Sequence, residues 1–421
     1  MIGEEIYSQK LQCGLPVYLL PKKGYKKKFA VYATKYGSID SEFIVPGEKE
    51  PIKVPEGIAH FLEHKLFEEE FGNIFDKFAE LGASANAYTN YTNTAYLFSC
   101  TDKFEQNLEL LIDFVQRPYF TEENVEKEKG IIQQELRMYR DDPNWMVFLN
   151  LLKALYKKHP VRNDIGGTIE SIQYIDVDTL YKCYNTFYHP ENMVLFAVGD
   201  FNPEAIFELI KSNFDKREYK PQGEIKRIYP DEPEEINEDI IVQKLSVSEP
   251  LINLGFKDRD IGYQGEKLFK KDIMTRILLD ILLGRSSDLY RELYEDGLID
   301  DRFHIDFEGQ RDYGFCVLGG PTKDPETLHR KILNGLTKYK DSSLNEETFA
   351  RIKKKKIGNY VKGFNSPEFI ASAFISYYFS DIDIMKYIDV LNRITFEDIK
   401  SRFDTLIDPA YHSCSIIYPS S

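Results

Sequence analysis

Two αβ modules of similar size, facing each other across a cleft, are the architecture this sequence predicts, and three observations predict it. At 421 residues the chain exceeds one ordinary hydrophobic core, and roughly 150 residues per domain gives two or three units. From Arg217 to Asp239 periodic sequence gives way to a polar stretch with Pro221, Gly223, Pro230 and Pro233 and the acidic run Asp231-Glu-Pro-Glu-Glu235, which marks a boundary. Weak internal repetition is the third observation. Val194-Leu-Phe-Ala-Val-Gly-Asp-Phe-Asn-Pro203 in the first half echoes Gly314-Phe-Cys-Val-Leu-Gly-Gly-Pro-Thr-Lys-Asp-Pro325 in the second; each reads as a strand, a Pro-Glu helix start and a helix. The expected division is a module over residues 1–220, a linker over 221–240 and a second module over 241–421.

Taken in order, Gly14–Pro21 and Lys28–Ser38 read as strands joined by the lysine-rich turn Lys22–Lys28. In Glu56–Phe67 the apolar residues Ile58, Phe61, Leu62 and Leu66 recur at helical spacing, so the segment is an amphipathic helix with one face in a core. Asn73–Leu81 is a further helix, ended by Gly82. Ala83–Cys100, rich in Ala, Ser, Thr, Asn and Tyr, reads as one strand of low side-chain bulk. Small residues let another backbone approach closely, which suits an edge where an extended peptide adds as an extra strand; a plain structural strand fits the same residues. Phe104–Gln116, Thr121–Asp142 and Trp145–Tyr156 are helical, with Thr121 capping the second and Pro143 closing its pattern. Ile277–Leu283, broken by Asp280, is a buried helix and too short to cross a membrane.

The chemistry concentrates in Glu56–Phe67. His60 and His64 stand one turn apart on one helix face, where two imidazoles hold one zinc ion without bending the helix, and Glu63 lies beside that metal. The plainer alternative is a surface helix that happens to carry these three side chains. A zinc site needs at least one more protein ligand, and the helix after Thr121 offers Glu128 and Glu135, two turns apart along one face. Spacing does not choose between them, and both also fit solvated helix glutamates. His159 and His189 each precede a proline, and neither they nor His304, His329 and His412 have a second histidine at ligand spacing. All five read as structural or exposed.

Composition narrows the partners. The net charge of −15 disfavours nucleic acid and anionic membrane surfaces and favours a basic or neutral peptide. The N-terminal sequence lacks a signal-peptide pattern, and the five scattered cysteines, Cys13, Cys100, Cys183, Cys316 and Cys414, have neither zinc-ribbon nor redox spacing. They read as buried thiols in a reducing compartment, with the cytoplasm as the expected location.

His60-Phe-Leu-Glu63-His64 and Val125-Glu-Lys-Glu128-Lys-Gly-Ile-Ile-Gln-Gln-Glu135 resemble the zinc helix and second-helix signature of the pitrilysin-type inverzincins, the family of insulysin and the mitochondrial processing peptidase. Gly82–Thr89 is similar to that family's substrate-binding edge strand, and Tyr188–Asp200 to the strand opening the last part of its first module. The resemblance implies an α+β fold of two homologous modules, each a mostly antiparallel sheet with helices on one face. The first would bear the zinc and the second would be non-catalytic. It implies Glu135 as third ligand, Glu128 as support for a zinc-bound histidine, Glu63 as catalytic base, and Asn86 and Ala87 as substrate contacts. One Zn2+ per chain and the hydrolysis of peptides or unfolded segments in a closed chamber follow from the same likeness. Leu282–Ile299 resembles the segment where the family keeps an Arg and a Tyr that steady the substrate carbonyl. Here Tyr294 falls in the Arg slot and Asp300 near the Tyr slot, while Arg291 lies on another face. That departure implies a homologous second subunit in a heterodimer, or a homodimer with an altered clamp. The rival readings are a zinc hydrolase of non-peptide substrates and a catalytically silent subunit of the same fold.

Overall fold

The computed structural model describes residues 4–70, 72–342 and 344–420; the first three residues of the N-terminal stretch lie outside them. The chain divides into two compact units. One comprises Met1–Leu136, Asp164–Tyr229 and Gly363–Ser376, the other Arg137–Asn163, Pro230–Lys362 and Tyr377–Ser421.

The first unit is built on strands β1 (Tyr7–Lys10), β2 (Pro16–Pro21), β3 (Lys28–Thr34), β4 (Ala83–Thr89), β5 (Thr94–Cys100) and β6 (Met193–Gly199). They form one sheet in the order β1-β2-β6-β3-β5-β4. β2 and β6 run parallel and the other neighbours antiparallel. Alternation along the strands sends Val17, Leu19, Ala30, Tyr32, Tyr96, Phe98, Leu195 and Ala197 to one face. There they share a core with α1 (Ile58–Leu66), α2 (Ile74–Glu80), α3 (Phe104–Val115) and α4 (Glu122–Asp141). The opposite face is covered too: Phe374, from the late segment Gly363–Ser376, stacks on Phe196 at 4.4 Å and packs on Tyr18 at 4.9 Å between ring centroids.

The single strand expected over Ala83–Cys100 is a hairpin. Asn90 Oδ1 accepts from the backbone N–H groups of Thr92 and Asn93, both at 2.8 Å, and this folds the chain back between β4 and β5. The turn carries neither glycine nor proline, so an asparagine side chain supplies what those residues usually announce. Because β5 lies between β3 and β4, only β4 of the two hairpin strands is a sheet edge; β1 forms the opposite edge.

The second unit repeats the plan. Its strands β7 (Ile240–Leu245), β8 (Leu251–Lys257), β9 (His304–Gly309), β10 (Gly314–Pro321) and β11 (His412–Pro419) are ordered β7-β11-β8-β10-β9. β7 and β11 are parallel and the rest antiparallel. Superposing this order on β2-β6-β3-β5-β4 makes β11 the counterpart of β6, and β10 the counterpart of β5. The echo between Val194–Pro203 and Gly314–Pro325 therefore joins non-equivalent strands. Both are buried strands followed by a helix that opens on proline, a local pattern that any strand-to-helix connection can share. One face of this sheet packs on helices that include Gly265–Leu283. On the other, α5 (Pro143–Leu155) sets Met146, Val147 and Leu149 against Leu251 and Ile417.

Candidate metal centre

α1 begins at Gly57, whose φ of +88° is left-handed and therefore favours glycine. A Cβ there would stand 2.2 Å from the Gly166 carbonyl oxygen, so the loop around Gly166 fixes where the helix starts. Ile58, Phe61, Leu62 and Leu66 are buried as their spacing predicts, which turns His60 and His64 onto the other face with ring centroids 4.5 Å apart. α4 is anchored by buried Ile132 and Leu136 and presents Glu135 between them. His60 Nε2 is 3.8 Å from Glu135 Oε1 and His64 Nε2 is 3.4 Å from Oε2.

One donor atom from each of the three side chains lies within 4.8 Å of the other two. Two ligands about 2.0–2.1 Å from a tetrahedral zinc stand about 3.4 Å apart, so the spacing suits such an ion. Glu135 Oε2 is buried and has no hydrogen-bond partner among the described residues. A buried carboxylate oxygen without a donor is costly, and a cation held by these residues would satisfy it.

The surroundings orient the histidines. Glu128 Oε1 is 3.1 Å from His64 Nδ1, an arrangement in which Nδ1–H donates and Nε2 is left free towards Glu135. Glu128 Oε2 is 3.6 Å from the buried ammonium of Lys65, which also donates to the Asn124 carbonyl at 3.2 Å and to Glu68. Burial and the neighbouring His64 drive His60 down to about 3, so it is a neutral imidazole. Burial also pushes His64 down, but the Glu128 hydrogen bond and the Glu135 and Glu63 charges outweigh it and leave His64 above its ordinary value.

Glu63 is buried on α1, and Thr89 Oγ1, from β4, donates to its Oε2 at 2.7 Å. Burial raises the Glu63 carboxyl and the Thr89 bond pulls the other way, with a net rise. Glu63, His64, Phe67, Phe75, Asn86, Ala87 and Glu128 line one cavity of about 470 Å³. Asn86 and Ala87 thus lie beside the carboxylate on the edge strand, where the Ala87 N–H donates to Asn86 Oδ1 at 2.9 Å. Thr89 and Lys65 take part in the site without having been singled out from sequence. Thr89 sits three residues past Asn86, at the end of an edge strand that runs beside α1, and that adjacency was its only signal. In the second unit Tyr294 is exposed, Asp300 pairs with Arg302, and Arg291 with Asp288.

Fold and site together define the class: a two-module α+β protein with a candidate metal centre in its first module. The model of the Insulinase (Peptidase family M16) domain matches residues 49–169, and that of the Peptidase M16 inactive domain matches residues 174–356. The chain is 47% identical over 400 residues to the uncharacterized zinc protease YmfH of Bacillus subtilis, covering 95% of this chain and 93% of that one. It is similar in structure to a putative M16-like peptidase from Alicyclobacillus acidocaldarius, with TM-score 0.96, 36% identity and 99% of each chain covered. A protease from Helicobacter pylori shares the fold at TM-score 0.85 and 20% identity, with 99% of this chain and 100% of that one covered. The chain belongs to peptidase family M16, the insulinase family. Its relatives' names support a protease function and imply zinc. Among the described residues no helix is long and apolar enough to cross a membrane.

Proposed function

We propose that this chain is a zinc-dependent endopeptidase that hydrolyses peptides or unfolded polypeptide segments, with one Zn2+ held by His60, His64 and Glu135. The convergence of those three side chains beside Glu63 carries the reading. Bound there, zinc supplies a water acidified to a pKa of about 7 and a Lewis acid for the scissile carbonyl. Glu63 has Oε2 engaged by Thr89, so Oε1 is the atom that takes the proton of the attacking water and passes it to the leaving amine. Glu128 keeps His64 in the tautomer whose Nε2 faces the ion. Asn86 and Ala87 sit on the unpaired edge β4, where an extended substrate adds as a further strand.

A catalytically silent role would not require a buried base beside three converged donors. The second unit lacks the Arg and Tyr of the family pattern, and the proposal is that a homologous subunit supplies them, or that a homodimer works with an altered clamp. A cytoplasmic location is supported by the five cysteines, all free.

Metal analysis of the purified chain, joined to a peptide-cleavage assay with and without chelator, tests the reading. Zinc at about one equivalent and chelator-sensitive cleavage are expected. A zinc-free chain, or cleavage indifferent to chelator, would sink it. Repeating the assay with any co-purifying partner decides the subunit question, because full activity of the chain alone would remove the heterodimer.

A further inference from the structure

The two sheets end in four edge strands, and one of them differs from the rest. β1, β4 and β9 turn polar side chains outward, such as Gln9, Asn86 and Asp306. β7 instead exposes Ile240 and Val242, at 46% and 54% of their surface. In the first sheet the corresponding strand, β2, is covered by β1, whereas among the described residues no strand pairs with the outer side of β7. We propose that β7 is the interface of a two-fold homodimer, in which the β7 strands of two copies of this chain pair antiparallel about Ile241 and join their second-unit sheets.

The backbone presents the groups this requires. The Asp239 carbonyl accepts from the Cys414 N–H at 3.1 Å and the Leu245 carbonyl from the Ser420 N–H at 2.7 Å. The residues of this parallel ladder alternate, so Ile241 and Gln243 bond to β11 while the N–H and C=O groups of Ile240, Val242 and Lys244 aim at the open side. The strand is already ordered. Gln243 accepts from Asn150 of α5 at 2.7 Å and Leu245 packs beside Met146 and Ile417, so pairing costs little further entropy.

The side chains name the partner. Glu238, Ile240, Val242 and Lys244 are exposed and alternate along the chain. Reversing that run onto itself about Ile241 sets Lys244 of each copy opposite Glu238 of the other, and Ile240 opposite Val242. Opposite charges and β-branched side chains that face each other across strands are favourable pairs. A two-fold interface needs this self-complementarity, because each patch meets its own copy. In the same register the outward N–H and C=O groups of Ile240 and Val242 meet those of the second copy. Left bare, an aliphatic edge without proline invites indiscriminate pairing.

Sedimentation equilibrium of the full chain over micromolar concentrations tests the proposal, and it reads mass independently of metal and of cleavage. Twice the chain mass is expected, with slow hydrogen exchange at the Ile240 and Lys244 amides. Val242→Pro removes one outward N–H and leaves the β11 ladder intact. It should keep the far-UV circular dichroism, fall to one chain mass and free both amides. Lys244→Glu and Glu238→Lys are surface changes that serve if the proline variant misfolds. Each should weaken the dimer at least about fivefold, and the chain carrying both should recover it. A single-chain mass at every concentration, a dimer indifferent to Val242→Pro and to the charge reversals, or a complex with a different chain in place of the self-pair overturns the proposal.

Discussion

The two sheets of this molecule share one order over five strands, including the single parallel pair, with β1 added to the first sheet alone, yet differ in what their helices carry. Between the third strand and the edge strand in the first unit lies α1, which turns His60, Glu63 and His64 out of its core. The same interval in the second unit holds the helix Gly265–Leu283. Its Ile273, Ile277 and Leu278 are buried, and its polar positions are spent on ion pairs: Lys271 with Asp258, and Asp272 with Arg276. Among the described residues no three metal donors of the second unit converge. The same five-strand topology thus presents converging metal donors in one place and packed ion pairs in the other, and the difference lies in a few side chains rather than in the scaffold.

The sharpest way to break the comparison is to strip the first unit of its ligands. His64→Ala is expected to abolish both zinc binding at α1 and hydrolysis, read by calorimetry and cleavage rate. Glu63→Gln separates binding from chemistry: the metal stays while turnover falls by about 10²–10⁴-fold, and unchanged turnover would refute the assigned base.

The matching experiment in the second unit targets stability. Asp258 receives two hydrogen bonds from buried Arg402, at 2.9 and 2.6 Å, and an ion pair from Lys271 at 2.9 Å. Removing its charge with Asp258→Asn should cost about 3–5 kcal/mol in denaturant unfolding. Burial alone would raise the Asp258 carboxyl, but Arg402 and Lys271 outweigh it and hold it below its ordinary value. A depressed folded pKa means the unfolded chain binds the proton first. This contribution is therefore complete above the unfolded value of about 3.9 and is lost as pH falls through the folded one. Asp258→Asn should flatten the acid limb of the stability curve.

Two smaller changes sharpen the picture of the first unit. Gly57→Ala forces a left-handed residue against the Gly166 carbonyl and should cost about 1–3 kcal/mol, with a matching fall in zinc affinity because both histidines ride on the displaced helix. Thr89→Val removes the hydrogen bond that holds Glu63 and partly offsets its raised pKa. Cleavage should drop about 10–100-fold, the scale of one hydrogen bond to a charged group. The acid limb of kcat/KM should move to higher pH, since a base with a higher pKa needs a higher pH to be ionised.

The parts readable from sequence were those written in local periodicity. The stripe Ile58, Phe61, Leu62, Leu66 gave α1 and the face of its histidines, and the family signature singled out Glu135, to which spacing alone had given no preference over Glu128. What escaped depended on distance along the chain. The Asn90 turn hid because a side chain replaced glycine. The Val194 and Gly314 segments look alike because buried strands before proline-capped helices share a grammar. His329 and His412, whose Nε2 atoms share a hydrogen bond at 3.2 Å, lie 83 residues apart, so no spacing rule could join them. The apolar face of α5 announced burial, but not that its sheet would be built from residues a hundred positions further on.

That last feature has a consequence for synthesis. Each sheet receives a covering segment from the opposite part of the gene: Arg137–Asn163 completes the second, and Gly363–Ser376 the first. Translation at about 5–20 residues per second delivers the strands of the first sheet long before Phe374 arrives to cover Phe196. The nascent chain must wait on the ribosome with an oily surface uncovered, an interval in which a trigger-type chaperone, or an early stop codon, would decide its fate.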